Sequence, residues 1–207
     1  MIKTIAFDLG GVIMKIDDVE PILRFKEIGI LDADQLINSY SQTGIFGDLE
    51  HGTLSEKDFL LNLSKHADKE ITWNQCQYAW KGFVIDVPRK NLEALVNLRK
   101  QGYRLILVSN TNGFIQSWAD SNEFSILGDP ISKYFDKMYR SYEINKMKPN
   151  EDFFSYVIEN EQDAPENILF VDDSNNNCEV AYKFGMRTYC PKNGEDWTNS
   201  ILKILHS

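Results

Sequence analysis

The segment IKTIAFDLGGVIM, residues 2–14, decides the fold of this chain. Its first six residues form a short, largely apolar run typical of a buried strand, and Asp8 stands at the carboxyl end of that run. Gly10 and Gly11 follow, where a glycine turn can bring the backbone close to a bound ion or anion. A single aspartate after a strand is often only a turn residue or a helix cap. A functional role for Asp8 therefore depends on which other polar residues lie near it.

Two later apolar runs are also followed directly by polar side chains: Ser109 and Asn110 after the first, Asp172 and Asp173 after the second. Helical patterns separate these runs, one of them opening at Pro88. Strands that alternate with helices predict an α/β fold, with a Rossmann-like parallel sheet covered on both faces. Because ligands of such sheets bind at the carboxyl ends of the strands, we expect these side chains to meet in one pocket.

The stretch of residues 17–86 has a different character. Apolar residues recur there at helical spacing without an interrupting strand-like run, for instance at Leu36, Ile37 and Tyr40. Ser55, followed three residues later by Asp58, resembles the N-terminal cap of a helix. The sequence therefore predicts a helical cap subdomain at residues 17–86, inserted into an α/β core of residues 1–16 and 87–207.

Composition limits the possible partners and compartments of the chain. Its 207 residues carry a formal net charge of −9, which repels polyphosphates and makes nucleic acid a poor candidate partner. Three scattered cysteines fit neither a disulfide framework nor a zinc site and indicate a reducing compartment. No run approaches the roughly 20 apolar residues of a membrane span, and the N-terminal run is too short for a signal peptide. We expect a cytoplasmic protein without a membrane partner; the sequence leaves its oligomeric state open.

The residues at the strand ends share a definite chemistry. Carboxylates from Asp8, Asp172 and Asp173 would repel one another unless a cation lay among them, and hard oxygen ligands favour Mg²⁺. The hydroxyl of Ser109 can hydrogen-bond phosphate oxygens, and Lys148 would add a positive charge. A carboxylate can attack phosphorus once such charges are neutralised. The set predicts a phosphoryl-transfer site that acts on a small phosphorylated metabolite.

The order of these parts resembles the haloacid dehalogenase (HAD) superfamily, specifically its helical-cap subgroup and the sugar-phosphate phosphatases of the glucose-1-phosphate type. Four motifs carry the resemblance: FDLGGVI at 7–13, LVSNT at 107–111, KP at 148–149 and FVDDS at 170–174. Together they span nearly the whole chain. The resemblance implies a Mg²⁺-dependent hydrolase that cleaves a small phosphomonoester, such as a sugar phosphate, through an aspartyl-phosphate on Asp8.

The resemblance also implies a role for each motif residue. The implied metal ligands are Asp8, Asp173, Asp172 (directly or through its waters) and the backbone carbonyl of Gly10. The implied catalytic and phosphate-binding residues are Ser109 and Lys148 beside the nucleophile Asp8, with Asn110 contributing to substrate binding. In the asparagine run after the fourth motif, Asn176 or Asn177 could steady Lys148 or a metal-bound water.

Gly10 departs from the usual family pattern, because most phosphatases of this family carry a second aspartate there that handles protons in both chemical steps. Loss of a general acid or base costs about 10²–10⁴-fold in rate. Three alternatives follow: another residue or water replaces the aspartate, as in resembling sugar-phosphate phosphatases that also have glycine; the chain is a slow or non-catalytic phosphate-binding protein; or it cleaves another bond, for example as a metal-free 2-haloacid dehalogenase. The paired acids of the fourth motif indicate a metal and weigh against the last alternative.

The segment FGDLEHG, residues 46–52, is the most polar part of the predicted cap. From it, Glu50 and His51 could face the active site and contact the hydroxyl groups of a sugar substrate. A loop between helices, with solvated side chains, is an equally good interpretation of these residues. His51 is also the histidine that could replace the acid or base missing at Gly10.

Overall fold

The computed structural model describes residues 1–38 and 43–206. The strands in this part of the chain are β1 (Thr4–Phe7), β2 (Lys15–Ile16), β3 (Val84–Asp86), β4 (Arg104–Ser109), β5 (Lys137–Arg140), β6 (Ile168–Val171) and β7 (Arg187–Tyr189). Five of them form a parallel sheet in the order β5-β4-β1-β6-β7. The other two, β2 and β3, pair as an antiparallel ribbon.

The helices of the same residues are α1 (Val19–Glu27), α2 (Ala33–Leu36), α3 (Gly44–His51), α4 (Glu56–His66), α5 (Trp73–Trp80), α6 (Arg89–Lys100), α7 (Gly113–Ala119), α8 (Ser141–Ile144), α9 (Glu151–Glu161), α10 (Asn175–Lys183) and α11 (Thr198–Leu205). Helices α1 to α5 lie between the two strands of the ribbon, and the others separate or follow strands of the parallel sheet. None of the described helices is both long and apolar enough to cross a membrane.

The parallel sheet is buried on both faces at its centre because the three central strands, β1, β4 and β6, are mainly apolar. Successive side chains of a strand point to opposite faces. Ile5 and Phe7 of β1 join an apolar cluster with Leu95 of α6, whereas Ala6 joins the cluster that contains Phe154 of α9. Helices therefore cover the sheet from both sides, and the predicted α/β architecture is confirmed.

The helices α1 to α5 have an apolar cluster of their own. Its centre is Phe46, whose ring lies 5.0 Å from that of Phe25 and 5.1 Å from that of Phe59. Phe114 of α7 joins this cluster and lies 5.8 Å from Phe59, so the helical layer rests on the start of α7. The helices predicted at Ser55 and elsewhere are present; Tyr40 lies outside the described residues.

The junction between the two layers differs from the predicted cap. Residues 17–86 were expected to hold no strand, but β3 occupies the last three of them and pairs with β2. That expectation is wrong because three residues are too short for a visible alternation of polar and apolar side chains. We propose that residues 17–86 form the cap and that residues 1–16 and 87–207 form the core, a division supported by the separate apolar clusters.

Candidate active site

Three adjacent strands deliver the polar side chains. Phe7 at the end of β1 is paired on one side with Leu107 of β4 and on the other with Val171 of β6. The backbone N–H of Asp8 donates to the carbonyl of Val171 over 2.8 Å. The residues that follow these positions consequently emerge side by side at the carboxyl edge of the sheet.

Three carboxylates meet at this edge, as the sequence predicts. Asp8, Asp172 and Asp173 each offer one oxygen, and these oxygens lie within 4.8 Å of one another. Oδ2 of Asp173 is buried and has no hydrogen-bond donor among the described residues. A buried carboxylate oxygen without a donor is costly unless a cation satisfies it. The donor set, all hard oxygens around one point, fits Mg²⁺.

Lys148 supplies the positive charge of the site. Its Nζ lies 2.6 Å from Oδ2 of Asp172 and 3.0 Å from Oδ1 of Asp8, and the side chain is buried. Burial disfavours the ammonium ion, but the charges of Asp172 and Asp8 more than offset this and hold the pKa of Lys148 above its ordinary value. Lys148 is therefore a fixed cation between two anions.

Two amide side chains hold this ion pair in place. Asn110 donates from Nδ2 to the carbonyl of Lys148 over 2.7 Å and accepts from its N–H over 2.9 Å. Asn177, in the first turn of α10, donates from Nδ2 to both oxygens of Asp172 over 3.0 and 3.1 Å. The asparagine run therefore forms the first turn of α10, and Asn177 reaches Lys148 through Asp172.

The carboxylates carry more negative charge than one lysine can balance. Burial raises the pKa of Asp8 to about 8; Lys148 opposes this shift, while Asp172 and Asp173 add to it. Burial and the charge of Asp172 likewise raise the pKa of Asp173 to about 6, again opposed by Lys148. Further positive charge at this point would favour the ionised carboxylates, which is consistent with a divalent cation.

The two glycines after Asp8 have different surroundings. Gly11 has a φ of +78°, and a Cβ on it would lie 2.1 Å from Oδ2 of Asp173. Only glycine allows this close approach. A Cβ on Gly10 would meet nothing closer than the terminal Cδ1 of Ile16, at 3.2 Å. A Cβ on Gly10 would therefore fit after a small shift of the flexible end of Ile16, whereas a Cβ on Gly11 would collide with Asp173.

One cavity collects most of the predicted residues. From the core it is lined by Asp8, Gly10, Ser109, Asn110, Lys148 and Asp173. Buried Ser109 makes only a long 3.3 Å hydrogen bond from Oγ to the carbonyl of Asn110, so its hydroxyl is available to an anion. Asp172 lies behind the cavity wall, where it is fully buried and holds Lys148.

The cap closes the cavity with Glu50, Trp80 and Phe83. Glu50 lies on α3, so residues 46–52 are mainly helix rather than the alternative loop. His51, the next residue, is not among the described residues that line the cavity, and its Nδ1 is buried without a hydrogen-bond partner. Trp80 and Phe83 are wall residues that the sequence did not single out, because aromatic residues at helical spacing look like core.

The family of this chain follows from comparison with known proteins. A sequence model of the haloacid dehalogenase-like hydrolases matches residues 2–185. The chain belongs to this family of hydrolases, which confirms the resemblance of its four motifs. Among curated proteins it is 41% identical to the D-ribitol-5-phosphate phosphatase of Bacteroides thetaiotaomicron, over 100% of both chains.

Solved structures agree with this assignment. The chain superposes with a TM-score of 0.94 on a predicted HAD-like family hydrolase from Porphyromonas gingivalis, at 39% identity, covering 100% of this chain and 99% of the other. A HAD family enzyme from Bacteroides thetaiotaomicron, in complex with magnesium and inorganic phosphate, is 34% identical with a TM-score of 0.88, covering 97% of this chain and 99% of the other. The L-2-haloacid dehalogenase RSc1362 shares only the fold, at 15% identity and a TM-score of 0.55.

Proposed function

We propose that this hydrolase is a magnesium-dependent phosphatase that cleaves a small phosphomonoester through an aspartyl-phosphate on Asp8. One observation carries the proposal: the Asp8 carboxylate shares a cavity edge with two further carboxylates and lies 3.0 Å from the amine of Lys148. A nucleophile, a positive charge and a set of metal ligands are thereby combined at one point.

Asp8 is the proposed nucleophile. Its Oδ1 accepts a hydrogen bond from the N–H of Leu9 over 2.7 Å, which fixes the orientation of the carboxylate at the carboxyl end of β1. Lys148, from the segment between α8 and α9, and the hydroxyl of Ser109, at the end of β4, bind phosphate oxygens and position the phosphorus for attack. In the first step the Asp8 oxygen bonds to phosphorus as the bond to the alcohol oxygen breaks. In the second, water releases phosphate from Asp8.

Asp8, Asp173 and the backbone carbonyl of Gly10 are the proposed magnesium ligands, and Asp172 acts through Lys148 and through ordered water. The unsatisfied oxygen of Asp173 supports a direct ligand role for that residue. The oxygens of Asp172, in contrast, already accept from Lys148, Asn177 and the N–H of Ser174. Bound magnesium supplies charge stabilisation for the phosphoryl oxygens.

The proposed substrate is a sugar or polyol phosphate, beginning with D-ribitol 5-phosphate. The name of the 41% identical phosphatase supports this choice. The cavity also supports it, because Glu50 adds a polar group on the cap side, where the hydroxyl groups of such a substrate would lie. His51 could assist from the same helix only after a change of its side-chain position.

A substrate panel tests the proposal. Phosphate release is measured from D-ribitol 5-phosphate and other sugar phosphates, with halide release from 2-chloropropionate as a parallel assay. We expect phosphate release in Mg²⁺, its reversible loss in EDTA, and a loss on the order of 10⁶-fold for Asp8→Asn, as when an enzyme loses its nucleophile. Intact-mass analysis should show a phosphate adduct on the wild type and none on Asp8→Asn.

Three results would contradict the proposal. Phosphate release that persists both in EDTA and in Asp8→Asn excludes this mechanism. Binding of inorganic phosphate without turnover of any ester in the panel would leave a phosphate-binding protein in place of an enzyme. Halide release in EDTA would identify the metal-free dehalogenase instead.

A cytoplasmic location is proposed as well. The three cysteines, Cys76, Cys178 and Cys190, are all free thiols. Free thiols are typical of proteins in reducing compartments. Fractionation of the producing cells into cytoplasmic, membrane and exported material tests this, and accumulation in the exported fraction would contradict it.

A further inference from the structure

The proposed reaction requires a group that Gly10 cannot provide. The departing alcohol needs a proton, and the water that attacks the aspartyl-phosphate must lose one. Of the titratable side chains that line the cavity, Lys148 is tied to two carboxylates, and Asp8 and Asp173 belong to the nucleophile and metal set. Among the described residues that line the cavity, the remaining one is Glu50.

Glu50 is held over the strand ends by a contact between cap and core. Its backbone carbonyl accepts from the hydroxyl of Ser141 over 2.5 Å, and Ser141 Oγ in turn accepts from the N–H of Thr111 over 2.9 Å. Strand β4 ends at Ser109, and Thr111 lies two residues beyond it. The position of Glu50 is therefore tied to the same strand end that binds phosphate.

The carboxyl of Glu50 has no electrostatic partner. The residue is only 8% exposed, and no described residue donates a hydrogen bond or an ion pair to its carboxyl. Burial, and secondly the negative charge of Asp8, raise the pKa of Glu50 to about 8. Although α3 also packs against α4 and α8, Asp8 is the charged group among the described residues that acts on this carboxyl. Glu50 is thus a buried carboxyl group that lines the same cavity as the nucleophile and whose surroundings favour its protonated form.

We infer that Glu50 is the general acid and base of the proposed phosphatase reaction, acting from the cap in place of a residue at position 10. The inference rests on the proposed function and deepens it. As Asp8 bonds to phosphorus, the electron pair of the breaking ester bond goes to the alcohol oxygen, which takes the Glu50 proton. In the second step the attacking water gives a proton to the Glu50 carboxylate, and the Asp8–phosphorus bond breaks, which restores both side chains.

The dependence on the leaving group tests this role. Glu50→Gln removes the proton but keeps the shape, and kcat/KM is compared for D-ribitol 5-phosphate and p-nitrophenyl phosphate. An alkoxide leaves poorly without a proton, whereas p-nitrophenolate needs none. We expect kcat/KM to fall about 10²–10⁴-fold for the ribitol ester and less than about tenfold for the aryl ester. The phosphate adduct on Asp8 should accumulate, since its hydrolysis lacks a base.

The pH profile gives a second readout that a structural role would not move. For the ribitol ester, the kcat/KM of the wild type should fall as the pH rises above about 8, where Glu50 loses its proton. The Glu50→Gln variant should lack this limb. Asp48→Asn is the matched control, because Asp48 is exposed on the same helix, two residues away, and we expect wild-type values for it.

Rescue from the core completes the test. A Cβ at position 10 requires only a small shift of the Ile16 side chain, so Gly10→Asp in the Glu50→Gln background should recover at least tenfold of the lost kcat/KM for the ribitol ester. Equal losses for the two esters, or a Glu50→Gln variant within threefold of the wild type, would overturn the role of Glu50 while the active wild type upholds the phosphatase. A wild type that turns over no ester fails at the proposed function itself.

Discussion

Asp172 of the core and Glu50 of the cap are both buried carboxyl groups, but their surroundings give them different roles. Asp172 is fully buried but accepts hydrogen bonds from Lys148, from Asn177 and from a backbone N–H, so it is an anchored anion. Glu50 is almost as buried and has no donor among the described residues, so burial raises its pKa. Hydrogen-bond donors and cations favour the ionised form of a buried carboxyl group, and burial without them favours the protonated form.

The two regions also differ in how their side chains are positioned. The core cluster depends on adjacent strands and on residues close to them in sequence, such as Ser174 and Asn177, which follow Asp172. Glu50 depends on long-range contacts, the hydroxyl of Ser141 among them. We therefore expect substitutions in the core to affect both stability and chemistry, and substitutions in the cap helices to affect them separately.

Of three substitutions, at Lys148, Gly11 and Ser55, the loss of the Lys148 amine should have the largest effect. Lys148→Met leaves the fully buried Asp172 without its ion-pair partner. Breaking a buried pair in this way costs about 3–5 kcal/mol of the free energy of unfolding. Urea titration in EDTA measures it, because no divalent cation can then replace the amine.

A neighbouring lysine provides the control for that experiment. Lys146 pairs with Asp152 over 3.1 Å near the surface, where Lys146→Met should cost less than about 1 kcal/mol. The double variant Lys148→Met/Asp172→Asn should regain most of the lost stability, since the uncompensated charge is gone. Equal losses for the Lys148 and Lys146 variants would show that Lys148 does not compensate Asp172, and the contrast between core and cap would lose its basis.

The core cluster could be predicted from sequence because its logic is local. Asp8, Ser109 and Asp172 each end or follow an apolar run, and parallel strands bring their carboxyl ends together. The resemblance implied a direct metal ligand in Asp173 and a ligand or a holder of metal-bound water in Asp172, but the sequence did not predict that Asp172 pairs with Lys148. That pairing depends on which oxygens find donors, and Lys148, 24 residues before Asp172, is one of them.

The cap was less predictable for the same physical reason. Residues 46–52 are polar enough to be read as a loop, and only packing of Phe46 against Phe25 and Phe59 shows which face of α3 is buried. In the sequence, Glu50 and His51 were equal candidates for substrate contact, and His51 was the candidate replacement for the acid or base missing at Gly10. In the structure, Glu50 lines the cavity and His51 does not. This difference arises from contacts between segments far apart in the chain.

Substitution of Gly11, which lies beside the proposed metal ligand Asp173, should have an effect of intermediate size on the core cluster. In Gly11→Ala the new Cβ would lie 2.1 Å from Oδ2 of Asp173, which must move away. We expect Mg²⁺ affinity to fall about 10–100-fold, as when the orientation of a metal ligand is disturbed. Titration calorimetry with Mg²⁺ measures this directly, independently of turnover.

Gly102→Ala is the control that separates the displacement of Asp173 in Gly11→Ala from the strain of an alanine in a left-handed backbone. Gly102 has a φ of +93°, and a Cβ on it would meet nothing within 4 Å. Both alanine variants should lose about 1–2 kcal/mol of unfolding free energy through the left-handed backbone. Only Gly11→Ala should lose Mg²⁺ affinity, and an equal loss in both variants would assign the effect to strain rather than to Asp173.

The smallest expected effect comes from a helix cap distant from the carboxylates. Ser55 accepts from the N–H of Asp58 over 3.1 Å at the start of α4, which packs against α3. Ser55→Ala should cost about 1 kcal/mol of unfolding free energy, whereas Lys57→Ala, exposed in the same turn, should cost little. Because α4 does not supply a cavity residue, kcat/KM for p-nitrophenyl phosphate should stay at the wild-type value for both variants. A tenfold fall in Ser55→Ala alone would mean that the cap helices act as one rigid support for the chemistry, and that stability and catalysis are as closely joined in the cap as in the core.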